Sequence, residues 1–180
     1  MPPLYCALRS WGMYAGPLRN AIHRLKYKND LGLGEALGYH LIQVYEKTQW
    51  HTDLIVPVPL SPQRLRERGY NQASLLARPV ALYLKIPFST QALKRVRHTN
   101  TQVGLKAFDR VQNVRNAFKA SSTFVANKIV LVVDDVATTG STLQECARAL
   151  LEAGAKSVYG LTLARATFAD ENPPSGLTYT

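Results

Sequence analysis

Cysteine is nearly absent. The 180 residues hold two, Cys6 and Cys146, far apart and neither in a C-x-x-C pair, which argues against a disulfide framework and against a zinc centre. Long apolar runs are missing too. No stretch approaches the roughly 18 residues of a membrane span, and residues 1–11 lack the apolar core of a signal peptide, so a cytoplasmic protein is expected. No internal repeat or low-complexity tract occurs. Charged residues make up 19% against 46% apolar, the balance of one packed domain rather than a disordered chain. Acidic side chains are scarce: 12 Asp and Glu face 22 Lys and Arg, a net charge of +10. That surplus suits an anionic partner, whether phosphate, nucleic acid or a membrane surface, without choosing among them. No Ser-His-Asp or paired-His constellation appears, and His23, with no metal partner at ligand spacing, reads as a surface or packing histidine.

What is present is concentrated at 129–143, IVLVVDDVATTGSTL. A β-branched apolar run bounded by turn residues predicts a buried parallel strand. The Thr-Thr-Gly-Ser-Thr loop after it falls at a sheet's carboxyl edge, where backbone N–H groups, hydroxyls and the following helix's positive end can converge on an anion. Asp134 and Asp135 do the opposite chemistry, accepting hydrogen bonds from hydroxyls or holding hydrated Mg²⁺. A phosphorylated polyol such as a ribose 5-phosphate satisfies both halves. The loop lacks the Gly-Lys-Ser/Thr ending of a Walker A sequence and the three spaced glycines of a dinucleotide fingerprint.

In chain order, residues 7–14 suit a strand and 17–27 a helix on Leu18, Ile22 and Leu25, with Arg19, His23, Arg24, Lys26 and Lys28 forming either a solvated or an anion-facing basic face. A second helix is expected at 33–48. The segment 53–60, DLIVPVPL, predicts a strand ending near Val56 and then a fixed extended loop, because Pro57 and Pro59 cannot donate to a central ladder. Arg64, Arg66 and Arg68 precede Gly69 as either an exposed basic turn or a phosphate grip. A helix follows on Ala73, Leu76, Ala77 and Val80, with Pro79 marking a kink or a boundary. A short strand is expected within 88–96. The polar segment 97–102, RHTNTQ, is either a lid or a plain connection, and 105–114 looks helical. Asn116 to Phe118 leads through a Ser-Ser turn into the central strand. The helix at 141–152 should bury Cys146 and end at Gly154. A strand at 157–164 completes a βαβ unit, and 170–180 reads as a loose tail.

The run VLVVDDVATTGSTL resembles the phosphoribosyl pyrophosphate motif of type I phosphoribosyltransferases. With LRNAIHRLKYKND, IVPVPLSPQRLRERGYNQASLLA and RHTNTQVGLKAFDRVQNVRNAF, the chain from Tyr14 to Arg165 resembles the ComF family of competence-related phosphoribosyltransferase-like proteins. The resemblance implies an α/β fold with a mostly parallel central sheet flanked by helices. It divides the chain into a small hood-like part over 1–50, a core over 51–167 and a polar tail over 168–180. It implies that Asp134 and Asp135 bind the ribose 2- and 3-hydroxyls, and that Ala137, Thr138, Thr139, Gly140, Ser141 and Thr142 cradle the 5-phosphate. Pro57, Val58, Pro59 and Leu60 then take the place of the loop that meets pyrophosphate, assisted by Arg64, Arg66 and Arg68. Arg97, Thr101 and Gln102 fall on the flexible loop. Mg²⁺ is expected with the ligand, with Asp134 or Asp135 as its candidate protein contact. Many ComF proteins carry an N-terminal cysteine-rich zinc segment, which Cys6 alone cannot rebuild; the chain is expected to lack it.

The chemistry so implied is displacement of pyrophosphate from ribose C1 by a ring nitrogen, a reaction of placement and charge stabilisation. Three functions stay open: a phosphoribosyltransferase acting on an unidentified acceptor, a non-catalytic binder of phosphoribosyl pyrophosphate or a nucleotide, and a basic factor handling single-stranded DNA or meeting competence proteins during natural transformation. Against the last stands the absence of an interleaved aromatic stacking array.

Overall fold

In chain order the elements are β1 (Ala7–Met13), α1 (Gly16–Tyr27), α2 (Gly32–Glu46), β2 (Leu54–Pro57), α3 (Pro62–Arg68), α4 (Gln72–Leu84), β3 (Leu93–Arg95), β4 (Phe118–Ala120), α5 (Ser122–Val125), β5 (Ile129–Ala137), α6 (Ser141–Glu152) and β6 (Ser157–Arg165). They come from a computed structural model that describes residues 2–96 and 116–166. The expectations placed on 97–102, including Arg97, Thr101 and Gln102, on 105–114 and on the tail lie outside the described residues.

Four strands in the order β1-β6-β5-β2 form an all-parallel sheet. Strand β5 is central: it pairs with β2 from Val130 opposite Leu54 to Val133 opposite Pro57, and with β6 along its whole length. Strand β1 pairs with β6 from Ala7 opposite Tyr159 to Met13 opposite Arg165, which stitches the N-terminal segment into the same sheet. The expected βαβ unit is β5–α6–β6, closed by Gly154 at φ 94. Strands β3 and β4 make a separate antiparallel pair.

Both faces of the sheet are covered, which is why β5 is apolar without alternation. Val130 and Val132 pack with Leu143, Cys146, Leu150 and Phe118 on one side. Leu131, Val133, Leu161 and Leu163 pack with Ile22, Leu25, Leu41, Leu76 and Val80 on the other. On that second side α2 and α4 approach closely. A Cβ added at Gly38 would lie 2.4 Å from Pro79 Cγ, so the helix crossing depends on the missing side chain.

Three local expectations change. The arginines at 64, 66 and 68 sit on a helix, not a turn. Ser61 Oγ accepts from the Arg64 N–H at 3.3 Å, Pro62 occupies the first turn, and Gly69 at φ 79 ends it by donating to Leu65 O at 2.8 Å. Helix α4 continues past Pro79 to Leu84, so Pro79 is not its boundary; the ring packs on Gly38, and that contact offsets the lost backbone donor. The Ser-Ser turn becomes the start of α5. Among the described residues no helix is long and apolar enough to cross a membrane.

Candidate functional site

Open parallel sheets bind ligands beyond the carboxyl ends of their strands, and the loops after β2 and β5 meet there. The loop at Pro57, Val58, Pro59 and Leu60 is pinned from two sides. The Val58 N–H donates to Val133 O at 2.9 Å, and Asn71 Nδ2 donates to Val58 O at 3.0 Å while its Oδ1 caps α4 at the Ala73 N–H. With prolines on both sides of Val58, the loop's conformation is set before any ligand arrives.

After β5, Ala137 is buried and Thr138, Thr139 and Gly140 are half-buried. Gly140 adopts the left-handed conformation at φ 76 and, as the N-cap residue, brings no side chain of its own to cap α6, so the start of the helix can turn donors to an anion. Thr139 Oγ1 donates to Ser141 Oγ at 2.9 Å and accepts from the Ser141 N–H at 3.3 Å, which tightens the turn. A Cβ at Gly140 would lie 3.1 Å from the Tyr5 hydroxyl. The N-terminal segment is held there by the Leu4 N–H, which donates to Gln144 Oε1 at 2.9 Å.

The two aspartates part company. Adjacent residues of a strand point to opposite faces, so Asp135 turns toward α1, where Lys26 Nζ lies 2.7 Å from its Oδ2. Asp135 is 4% exposed. Burial works against the Lys26 charge, but the ion pair and hydrogen bond with Asp135 outweigh it and raise the ammonium's pKa. Asp134 points the other way, toward the side holding Arg95 and Cys146. Burial and the neighbouring Asp135 charge push its pKa up to about 8, against a smaller opposing pull from the Asp135 N–H, which donates to Asp134 Oδ1 at 2.8 Å, and from Lys26. Cys146 is fully buried, and its thiol is pushed well above the ordinary range by burial and by Asp134. Arg95 lies with its guanidinium 5.4 Å from the Phe118 ring centroid. Burial and then repulsion from Arg64 lower its pKa, while Cys146 and Asp134 act the other way.

On α3 the 100° step between helical residues separates the three arginines. Arg64 and Arg68 come within roughly 40° of each other, and Arg66 emerges on the far side. Arg64 and Arg68 accordingly line a cavity of about 440 Å³ with Glu67, Tyr70 and, from the end of α1, Lys26, Tyr27 and Asn29; Arg66 does not. Of these, sequence reasoning singled out Lys26 only as part of a basic face, and missed Tyr27, Asn29, Glu67, Tyr70 and the nearby Arg95. Their roles depend on contacts between segments distant in sequence. One signal was available: basic and aromatic residues cluster at the end of α1. Among the described residues no group of three or more His, Cys, Asp and Glu side chains could hold a metal.

A family profile described as phosphoribosyl transferase domain matches residues 70–174. The chain is 40% identical over 162 residues to competence protein F of Haemophilus influenzae, across 86% of this chain and 71% of that protein. It is 38% identical over 169 residues to the DNA utilization protein YhgH of Salmonella typhi, across 91% of this chain and 74% of that one. In structure it resembles the glutamine phosphoribosylpyrophosphate amidotransferase of B. subtilis, complexed with ADP and GMP, with a TM-score of 0.50 and 24% identity over 72% of this chain and 25% of that chain. That likeness is one of fold.

Proposed function

The chain belongs to the ComF family, proteins built on a phosphoribosyl transferase domain, and we propose that its carboxyl-edge site binds a phosphorylated ribose, phosphoribosyl pyrophosphate foremost, with Mg²⁺. One observation carries this reading. The start of α6 at Gly140, the Asp134 carboxyl and the pinned proline loop lie on adjoining strands at the same sheet edge. An anion site, a hydroxyl acceptor and a second, pinned loop thus stand in the order a doubly phosphorylated sugar requires.

In this reading Thr138, Thr139, Gly140, Ser141 and Thr142 hold the 5-phosphate through backbone N–H groups and hydroxyls, with Ala137 anchoring the loop in the core. Asp134 accepts from the ribose hydroxyls. Asp135, committed to Lys26, orients the edge rather than gripping the sugar. Of the loop Pro57 to Leu60, the Leu60 N–H is the donor left for the diphosphate, since the prolines have none and Val58 is bonded to Val133 and Asn71; Arg64, near Arg95, is the cation best placed beside it, and Arg66 contributes charge from the outer face of α3. The residues would fit a Mg²⁺ carried on phosphate oxygens and held by one carboxylate, Asp134, whose proton the cation would displace, rather than an all-protein cage. Bound there, the ion supplies neutralisation of the leaving diphosphate.

The transfer that follows is a displacement: the acceptor nitrogen forms the bond to C1, the C1–O bond breaks with its electron pair going to pyrophosphate, and any proton on that nitrogen passes to solvent. The protein's part is placement and charge. Pyrophosphate release across a panel of nucleobases and aromatic acids tests it. Turnover with one of them that is lost in Asp134→Ala supports a transferase; tight sugar binding with no turnover leaves a binding regulator.

The names of the relatives, and the +10 charge, favour a role in DNA uptake and natural transformation, with single-stranded DNA or competence proteins as further partners.

A further inference from the structure

Of the groups assigned above to the sugar and its phosphates, Arg64 alone lines the cavity between α1 and α3. Its walls are braced. The Tyr70 hydroxyl donates to Leu25 O at 2.5 Å, tying the corner after α3 to the end of α1. Arg68 donates to the Oε1 of Gln72, a residue 5% exposed, and its guanidinium lies 5.3 Å from the Tyr27 ring centroid. A guanidinium has five donors and Gln72 occupies one, so a fixed fork remains. The guanidinium lies over the Tyr27 ring and the His23 ring packs against it at 4.8 Å between centroids, yet Tyr27 stays 60% exposed and keeps ring surface beside that fork. The charges nearly balance. Lys26 is matched by Asp135, and Glu67, itself accepting from Gln63 Nε2 at 2.7 Å, stands against Arg64 and Arg68. One positive charge is left over, and it is shared with the diphosphate site through Arg64.

We propose that this cavity is the acceptor pocket, and that the acceptor is a planar aromatic ring bearing a carboxylate. The ring lies along Tyr27 and the carboxylate pairs with Arg68 through a bidentate fork. A bare phosphate or pyrophosphate fits less well: it leaves the two tyrosine walls unused and brings more negative charge than the lining balances. The pocket reaches the carboxyl end of β5 through Lys26, which lines the cavity and pairs with Asp135, the strand neighbour of Asp134. The assignment as acceptor rests on the phosphoribosyl reading, whereas the ligand class rests on the cavity alone.

Calorimetric titration of the full chain, with and without phosphoribosyl pyrophosphate and Mg²⁺, tests both. The probes are nicotinate, orotate and anthranilate, their uncharged counterparts nicotinamide, uracil and aniline, and pyrophosphate alone. A charged hydrogen-bonded pair corresponds to about 10- to 100-fold in affinity, so at least one carboxylate should bind that much better than its counterpart. Arg68→Gln should abolish the preference, Arg68→Lys should keep part of it, and Tyr27→Ala should weaken binding of the ring. Lys156→Gln, a distant exposed site, should change nothing. Equal affinity for charged and uncharged rings, a preference that survives Arg68→Gln, or an Arg68-dependent site that takes only pyrophosphate would each overturn the proposal. If the sugar ligand binds and none of the three acids does, this pocket assignment fails and the sugar site stands. If an acid binds through Arg68 and the sugar ligand does not bind, the ligand class stands and the acceptor role falls.

Discussion

Asp134 and Asp135 are neighbours in sequence with opposite surroundings, and each makes its own prediction. Asp134 holds a proton up to about pH 8 when folded and releases it near the ordinary carboxylate value, about 4, when unfolded. Its contribution to stability is therefore full below the unfolded pKa and declines as pH rises through the folded one. Asp134→Asn, which mimics the neutral form, should melt increasingly above the native protein between about pH 5 and pH 8.5, by at least the 2–4 °C that roughly 1 kcal/mol produces in a chain of this size. A constant difference across that range would show that the carboxyl is ionised throughout. Lys26→Met strands the buried Asp135 carboxylate and should lower unfolding free energy in urea by up to about 3 kcal/mol, the lower end for a broken buried pair because Lys26 keeps some solvent contact. Adding Asp135→Asn should return much of the loss; strict additivity would mean that the pair is energetically idle. The importance of the two aspartates was legible in the sequence. Their division of labour was not, because Lys26 reaches Asp135 only once α1 has packed on the sheet.

At the scale of elements, β5 and α6 were legible because every signal is local: a β-branched run, turn chemistry, apolar periodicity and a glycine stop. Helix α3 was overlooked although its signals, Ser61 as cap, Pro62 in the first turn and Gly69 at the end, are also local. The alternating arginines drew attention to charge instead, and the helix is what decides which of them can act together. Helix α4 shows the converse, a proline rule overridden by packing against Gly38. Gly38→Ala should destabilise by about 1–3 kcal/mol, the range for overpacking, as read from the urea midpoint; no change would mean that α2 and α4 can separate freely. At the start of α6, Gly140→Val sets a β-branched residue in a left-handed position against Tyr5. It should lose affinity for the phosphorylated sugar more than tenfold, the scale of removing a well-made charged hydrogen bond, while Tyr5→Phe should retain it.

For the whole molecule, the order of predicted strands and helices marked the β5–α6–β6 unit and the family resemblance implied the rest of the parallel α/β architecture, while the strand expected at 7–14 came without its place at the sheet edge beside β6, since pairing partners distant in sequence leave no local mark. The +10 charge is a whole-chain property and carries its own expectation. Single-stranded oligonucleotide affinity should fall about tenfold or more between roughly 50 and 200 mM salt, and charge reversal at Arg64, Arg66 and Arg68 together should flatten that slope. Salt-independent affinity would remove the electrostatic reading of the surplus. The central claim is a sugar-phosphate site built on Asp134 and the loop into α6, and it is tested most directly by the dissociation constant of phosphoribosyl pyrophosphate with Mg²⁺ in the native protein and in Asp134→Asn. Measured above about pH 8, where the native carboxyl is ionised, the account predicts saturable one-to-one binding that weakens at least tenfold in the variant, as loss of one charged contact requires. Equal affinity in the two proteins, or no binding to the native one, would contradict it.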